Sequence, residues 1–175
     1  MNKNMFLILI GIVIILFIVY IIFFRKKIKE ETDINKKVIN NAKNELGVKE
    51  IPGPDDEPQI LKYFEELGLS IAGGDEESWC AVFVNYILKK SGANYIKTSG
   101  ARKLLELPNQ VVLPKVGDVV IFWRETPASW KGHTGFYVSE TAGAIKILGG
   151  NQNNSVSYRY MQKYRLLGYR RPLKK

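Results

Sequence analysis

A single cysteine, Cys80, and a single histidine, His133, are all that the chain holds of either type. One cysteine excludes an intramolecular disulfide and any cysteine-built zinc site, and one histidine excludes a histidine-rich metal centre. No metal and no cofactor is expected. Also missing is a dense basic stripe interleaved with aromatics, which argues against nucleic acid as a partner. The formal charge of +9 overstates the basicity of most of the chain. Lys3, Arg25, Lys26, Lys27 and Lys29 flank one apolar run, and without them 21 basic residues face 17 acidic ones, a net +4. So mild a balance suits an anionic polymer, and it serves solubility equally well. There is no internal repeat, and no low-complexity stretch apart from that run.

The run itself, Met5 to Phe24, has 20 residues and nothing more polar than Gly11 and Tyr20. A bilayer core of roughly 30 Å needs about 20 apolar residues in a helix, so the expectation is one transmembrane helix. A signal peptide would have a shorter apolar core and end at small residues of A-x-A type. This run ends in Phe23-Phe24-Arg25-Lys26-Lys27, so it reads as an uncleaved anchor. Residues 1–31 then form the anchor and a charged juxtamembrane segment, and residues 32–175 form one domain large enough to bury a core.

Within that domain the apolar spacing predicts a helix from near Asp33 to Leu46, with Ile34, Val38, Ile39, Ala42 and Leu46 as its stripe and Gly47 as its stop. The loop Val48–Asp56 is dense in proline and glycine. A second helix starts at Glu57-Pro58, faces Ile60, Leu61, Phe64 and Leu67 inward, and stops at Gly68. A third covers Glu76–Lys90, capped by Ser78, and a short fourth covers Ala101–Leu107. The period then changes. Val116–Trp123, His133–Ser139, Ala144–Leu148, Val156–Tyr160 and Leu166–Arg170 read as strands. Helices followed by consecutive strands indicate an α+β fold, with N-terminal helices packed on a four- to six-stranded antiparallel sheet.

The third helix places Cys80 in its first turn, where free N–H groups and the helix dipole favour the thiolate. Burial as a small hydrophobe is the bland alternative. His133 stands at the start of a strand, and its ordinary pKa near 6.5 suits a general base at neutral pH if a nucleophile lies within reach. Asn151, after the third strand, is the candidate to orient that imidazole, as asparagine does in papain-like enzymes. Gln152 is the runner-up for the same role. If that strand alternates regularly, only one of the two points at His133. Each residue alone also has an ordinary structural reading, since Gly149-Gly150-Asn151-Gln152-Asn153-Asn154 is common turn composition.

Cysteine on a helix, then histidine on a strand, then a polar residue ending the next strand is a more specific order. It resembles the NlpC-type and CHAP-type papain-like cysteine peptidases and amidases of bacterial cell walls. The resemblance is carried by Trp79-Cys80-Ala81-Val82-Phe83-Val84-Asn85, Gly117–Trp123, Gly132-His133-Thr134-Gly135-Phe136-Tyr137-Val138 and Leu148-Gly149-Gly150-Asn151-Gln152. Glu45–Glu50 with Pro52-Gly53 looks like the leading segment of a phage- and bacterium-associated subgroup. The resemblance implies a papain-like fold and cleavage of amide bonds in peptidoglycan. Many members use a second histidine as the third group; this chain has none, so Asn151 or Gln152 stands in.

The expected chemistry runs from a Cys80–His133 ion pair, through thiolate attack on an amide carbonyl, to protonation of the leaving amine by His133. The Cys80 N–H is a candidate oxyanion donor. Trp79 and Gln152 are candidate substrate contacts. Trp123, Trp130 and Tyr137 also lie near these motifs, with core packing the better expectation for Trp123 and Tyr137. Wall chemistry requires the domain outside the membrane, whereas the basic cluster after the run favours a cytoplasmic one. A wall-binding module without turnover, and an antibacterial effector or phage-type lysin, are the alternative readings.

Overall fold

The computed structural model describes residues 3–175 apart from 54 and 72, with backbone alone for 3–9 and 76. It divides into two compact units, Met1–Asp33 and Ile34–Lys175. Helix α1 (Lys3–Lys43) occupies the first and ends in the second. No proline or glycine lies between Gly11 and Gly47, so nothing breaks the helix at the start expected near Asp33. In the first unit the apolar side chains from Ile12 to Phe24 are exposed, apart from half-buried Ile21. Among the described residues no helix is long and apolar enough to cross a membrane. The side chains of residues 5–9, which begin the apolar run, lie outside that description.

The second unit opens with the end of α1, where Ile34, Val38, Ile39 and Ala42 are buried as their spacing predicts. Leu46 is not: the helix ends at Lys43 and the chain turns through Gly47 (φ 90°), leaving Leu46 exposed. Helix α2 (Pro58–Leu67) has proline in its first turn and Glu57 as N-cap, accepting from Gln59 N at 3.2 Å. Gly68 ends it in the left-handed region (φ 58°). Helix α3 (Cys80–Lys90) is buried along Cys80–Leu88, on all sides rather than one. It packs against α2 and against the sheet, so its apolar residues exceed one amphipathic face. Buried Glu45 joins the pieces, accepting from Gln59 Nε2 at 2.8 Å, Tyr63 Oη at 3.0 Å and Lys90 Nζ at 2.9 Å.

A 3-10 segment (Ala101–Glu106) stands where the short fourth helix is predicted. The six strands are β1 (Gln110–Val111), β2 (Val119–Trp123), β3 (Gly132–Glu140), β4 (Ala144–Gly149), β5 (Ser157–Gln162) and β6 (Leu166–Arg170). They pair antiparallel in the order β1-β6-β2-β3-β4-β5. The fold is thus α+β, helices with a six-stranded antiparallel sheet. Strand β1 carries only two residues and no periodic signal. Val116 stays outside β2 because Gly117 (φ 91°) turns the chain against α1, where a Cβ would lie 2.6 Å from Asn35 O. Asp118 fixes that turn, accepting from Asn35 Nδ2 at 2.8 Å, Lys115 N at 2.7 Å and Arg171 Nη2 at 3.0 Å.

The core has two parts divided by the sheet. Val119, Ile121, Phe136 and Leu148 face the helices and pack with Trp79, Phe83 and Tyr63. Val120, Phe122, Ile145, Ile147, Met161 and Tyr169 form a second cluster on the other face. Alternation along β2 puts successive residues into different clusters.

Candidate active site

Cys80 is the first residue of α3, and Trp79, not Ser78, is its N-cap, without a side-chain capping bond. The Phe83 N–H closes the first helical turn on Trp79 O at 2.8 Å. As first helical residue, Cys80 has an N–H with no carbonyl inside the helix to meet, as an oxyanion donor requires. The thiol is 2 % exposed. Burial pushes its pKa up, against the Ser78 hydroxyl, the Ala81 amide, the Arg124 charge and the Thr134 amide, which all favour the thiolate. Burial prevails, so the resting sulfur is a neutral thiol at neutral pH.

His133 is the second residue of β3 and is 4 % exposed. Its pKa is pushed down to about 4, first by burial and then by Arg124 and Arg159, with the Gln152 hydrogen bond opposing. The imidazole is therefore also neutral at pH 7. Its Nε2 lies 3.4 Å from Gln152 Oε1. Gln152 Nε2 donates to Gly149 O at 3.0 Å and to Ser157 O, so the amide turns its oxygen towards the ring. An amide oxygen only accepts, which assigns the ring proton to Nε2 and leaves Nδ1 as the free base.

Asn151 lies elsewhere. It takes a positive φ of 53° and donates from Nδ2 to Glu77 O at 3.3 Å. Strand β4 ends at Gly149, so alternation no longer governs which of residues 151 and 152 faces the ring. The turn instead folds on three left-handed asparagines, Asn151, Asn153 and Asn154, and is bound to the segment before α2. Glu50 N donates to Asn154 O at 2.9 Å and Val156 N to Val48 O at 2.8 Å. Geometry thus joins His133 to Gln152, the runner-up, and gives Asn151 to the backbone before α3.

No protein-family model and no curated protein matches the chain.

The thiol meets β3 at the Thr134 amide, one residue along from His133. His133 is paired directly with Phe122, and such partners leave a sheet on the same face. The imidazole therefore departs on the side of the second apolar cluster, whereas Phe136 packs on Phe83 of α3. Among the described residues no hydrogen bond joins the thiol to the ring. The thiol and the ring thus meet adjacent residues of β3 from opposite faces of the sheet, both unpaired with each other and uncharged, rather than forming the expected ion pair.

Trp79 is fully buried, donates from Nε1 to Glu50 Oε1 at 2.7 Å, and packs beside Tyr63. It is a core residue and offers no surface to a substrate. Gln152, 1 % exposed, likewise supports the ring rather than facing solvent. Cys80 lines the floor of a cleft of ≈ 450 Å³, together with Ser78, Ser99, Arg124, Trp130 and Lys131 among others. Trp130 projects there, 82 % exposed. Trp123 is half-buried beside Tyr164 and Arg165, and Tyr137 packs on Tyr169. Sequence reading passed over Arg124 and Ser99, since a lone arginine after a strand carries no periodic signal. Among the described residues no three His, Cys, Asp or Glu side chains gather to hold a metal ion.

Proposed function

We infer that the chain is a membrane-anchored cysteine hydrolase that cleaves peptide or amide bonds in peptidoglycan. The observation that carries this reading is a buried thiol at the head of α3 that lines a ≈ 450 Å³ cleft and lies against the strand that bears His133. In this reading Cys80 is the nucleophile, His133 Nδ1 the base, and Gln152 the group that fixes the ring's tautomer. Because the resting ring leaves the sheet on the face away from the thiol, proton transfer in this reading needs the start of β3 to rearrange when substrate binds, as catalytic hydrogen bonds often form only in the substrate complex. The thiolate then attacks the carbonyl, the Cys80 N–H receives the developing oxyanion, and imidazolium protonates the leaving amine. Water releases the acyl group in the reverse sequence. The wall substrate is supported by the motifs resembling NlpC-type and CHAP-type enzymes, and by the mild positive charge.

Mass spectrometry of muropeptides after digestion by the full chain in detergent tests this. New fragments from the wild type, and none from Cys80→Ala of unchanged circular dichroism, are expected. Equal fragments from both proteins would sink the reading. A second reading, wall binding without turnover, is favoured by the absence, among the described residues, of a thiol–imidazole hydrogen bond. It predicts co-sedimentation with purified wall and no fragments from either protein.

The anchor is proposed on the whole run Met5–Phe24, supported by the exposed apolar side chains of α1. Wall chemistry places the domain outside the cytoplasmic membrane, and the basic cluster Arg25–Lys29 pulls the other way. A C-terminal reporter active only after export decides between them; activity of its cytoplasmic counterpart alone would reverse the assignment.

A further inference from the structure

The cleft beside Cys80 carries four charged side chains on its walls: Glu77, Arg124, Glu125 and Lys131. Two cancel, because Lys131 Nζ pairs with Glu125 Oε1 at 2.5 Å. Arg124 adds to the field on Glu125, yet its own guanidinium makes no ion pair or hydrogen bond among the described residues. The wall that carries it is braced. Its N–H donates to Lys131 O at 3.2 Å, which continues the β2–β3 ladder one residue past Trp123 and Gly132. Arg102 Nη1 holds the intervening loop from behind, donating to Pro127 O at 3.0 Å and to Ser129 O. Ser129 N also donates to Thr126 O at 3.1 Å. An uncommitted guanidinium thus stands on a fixed wall next to the sulfur, with the exposed ring of Trp130 in the same cleft.

A guanidinium presents paired donors that match a carboxylate, and it keeps its charge at any pH that the fold experiences. We propose that Arg124 is a specificity-determining residue, binding a free carboxylate of a substrate whose scissile amide lies over Cys80. This inference rests on the hydrolase reading for the position of the scissile bond, and on the cleft alone for the carboxylate. The chemical class is a peptide bearing an unblocked carboxylate close to the bond cut, with Trp130 as the flat surface beside it. Glu77, which also lines the cleft, disfavours a second carboxylate. The field of Arg124 also reaches Cys80 and His133, so a purely electrostatic role is the competing account.

The test compares purified peptidoglycan with the same material after its carboxylates are converted to amides by carbodiimide and ammonia. With full-length wild type in detergent, kcat/KM is expected to favour the free-carboxylate wall about tenfold or more, the size of one good charged contact of about 1.4 kcal/mol. Arg124→Gln is expected to bring that ratio near one, mainly by raising KM on the free-carboxylate wall, and Arg124→Lys to restore part of it. Equal cleavage of both walls by the wild type overturns the proposal and leaves the hydrolase intact. A fall in kcat with the preference retained in Arg124→Gln assigns the residue to the sulfur's electrostatics and also overturns it.

Binding is read separately, by tryptophan fluorescence of Cys80→Ala with soluble muropeptides, free or amidated. Arg124-dependent preference for the free form, with no cleavage by the wild type, upholds the carboxylate site and rejects the hydrolase. No preference in binding and no cleavage rejects both.

Discussion

Cys80, the proposed nucleophile, is held neutral, because burial outweighs the donors that surround it. Alkylation by iodoacetamide at pH 7 is therefore expected to run slower than for a free thiol, by about tenfold or more, and to reach the free rate on unfolding. Labelling at the free rate in the folded chain would mean an activated thiolate at rest. The neighbouring residues make a second expectation. Gln152→Ala removes the acceptor that holds the His133 tautomer and is expected to lower kcat at least about tenfold, within the range of general-base catalysis. Asn151→Ala, which only frees a backbone contact, is expected to cost much less; the reverse order in wall-cleavage kinetics would return the role to Asn151. Cys80 and His133 were legible from the chain because each is unique and stands where a pattern starts. The choice between Asn151 and Gln152 was not, since it depends on left-handed turn residues beyond the end of β4.

At the scale of elements, the turn after β4 decides whether α3 and β3 meet correctly. A Cβ on Gly150 would lie 2.4 Å from Trp79 Cζ3 and 2.7 Å from Phe83 Cβ. Gly150→Ala must push the turn off α3 and is expected to destabilise by about 1–3 kcal/mol, read from the urea midpoint. Because Gln152 rides on the same turn, activity per folded molecule is expected to fall as well. Unchanged stability would show that the contact relaxes freely. The helices α2 and α3 were visible from spacing and stop signals, and so were strands β2 to β6, within a few residues. What the chain did not disclose follows from tertiary packing. Val116 looked like the first residue of β2 until Gly117 was found pressed on Asn35, and Trp79 looked like a groove residue until Glu50 took its N–H.

For the whole molecule, the buried imidazole ties folding to acidity. The folded pKa of His133 is depressed to about 4, below its ordinary 6.5. Between these values the unfolded chain binds a proton that the folded one refuses, so stability rises with pH there. The contribution is complete above about pH 6.5 and is lost as pH falls to about 4, on the order of 3 kcal/mol in all. Urea midpoints measured from pH 7.5 to 4.5 are expected to drop in the wild type and to stay flatter in His133→Gln. Parallel slopes would assign the acid loss to other groups.

One short turn, Gly150 to Val156, touches the helix that bears the sulfur, the ring proposed as base, and the segment Gly47–Glu50 that follows α1. A protein wired in this manner has no way to loosen the groups proposed for catalysis while keeping its interior. Heating is accordingly expected to extinguish turnover and melt the domain over one shared temperature interval, with no folded but silent species between them.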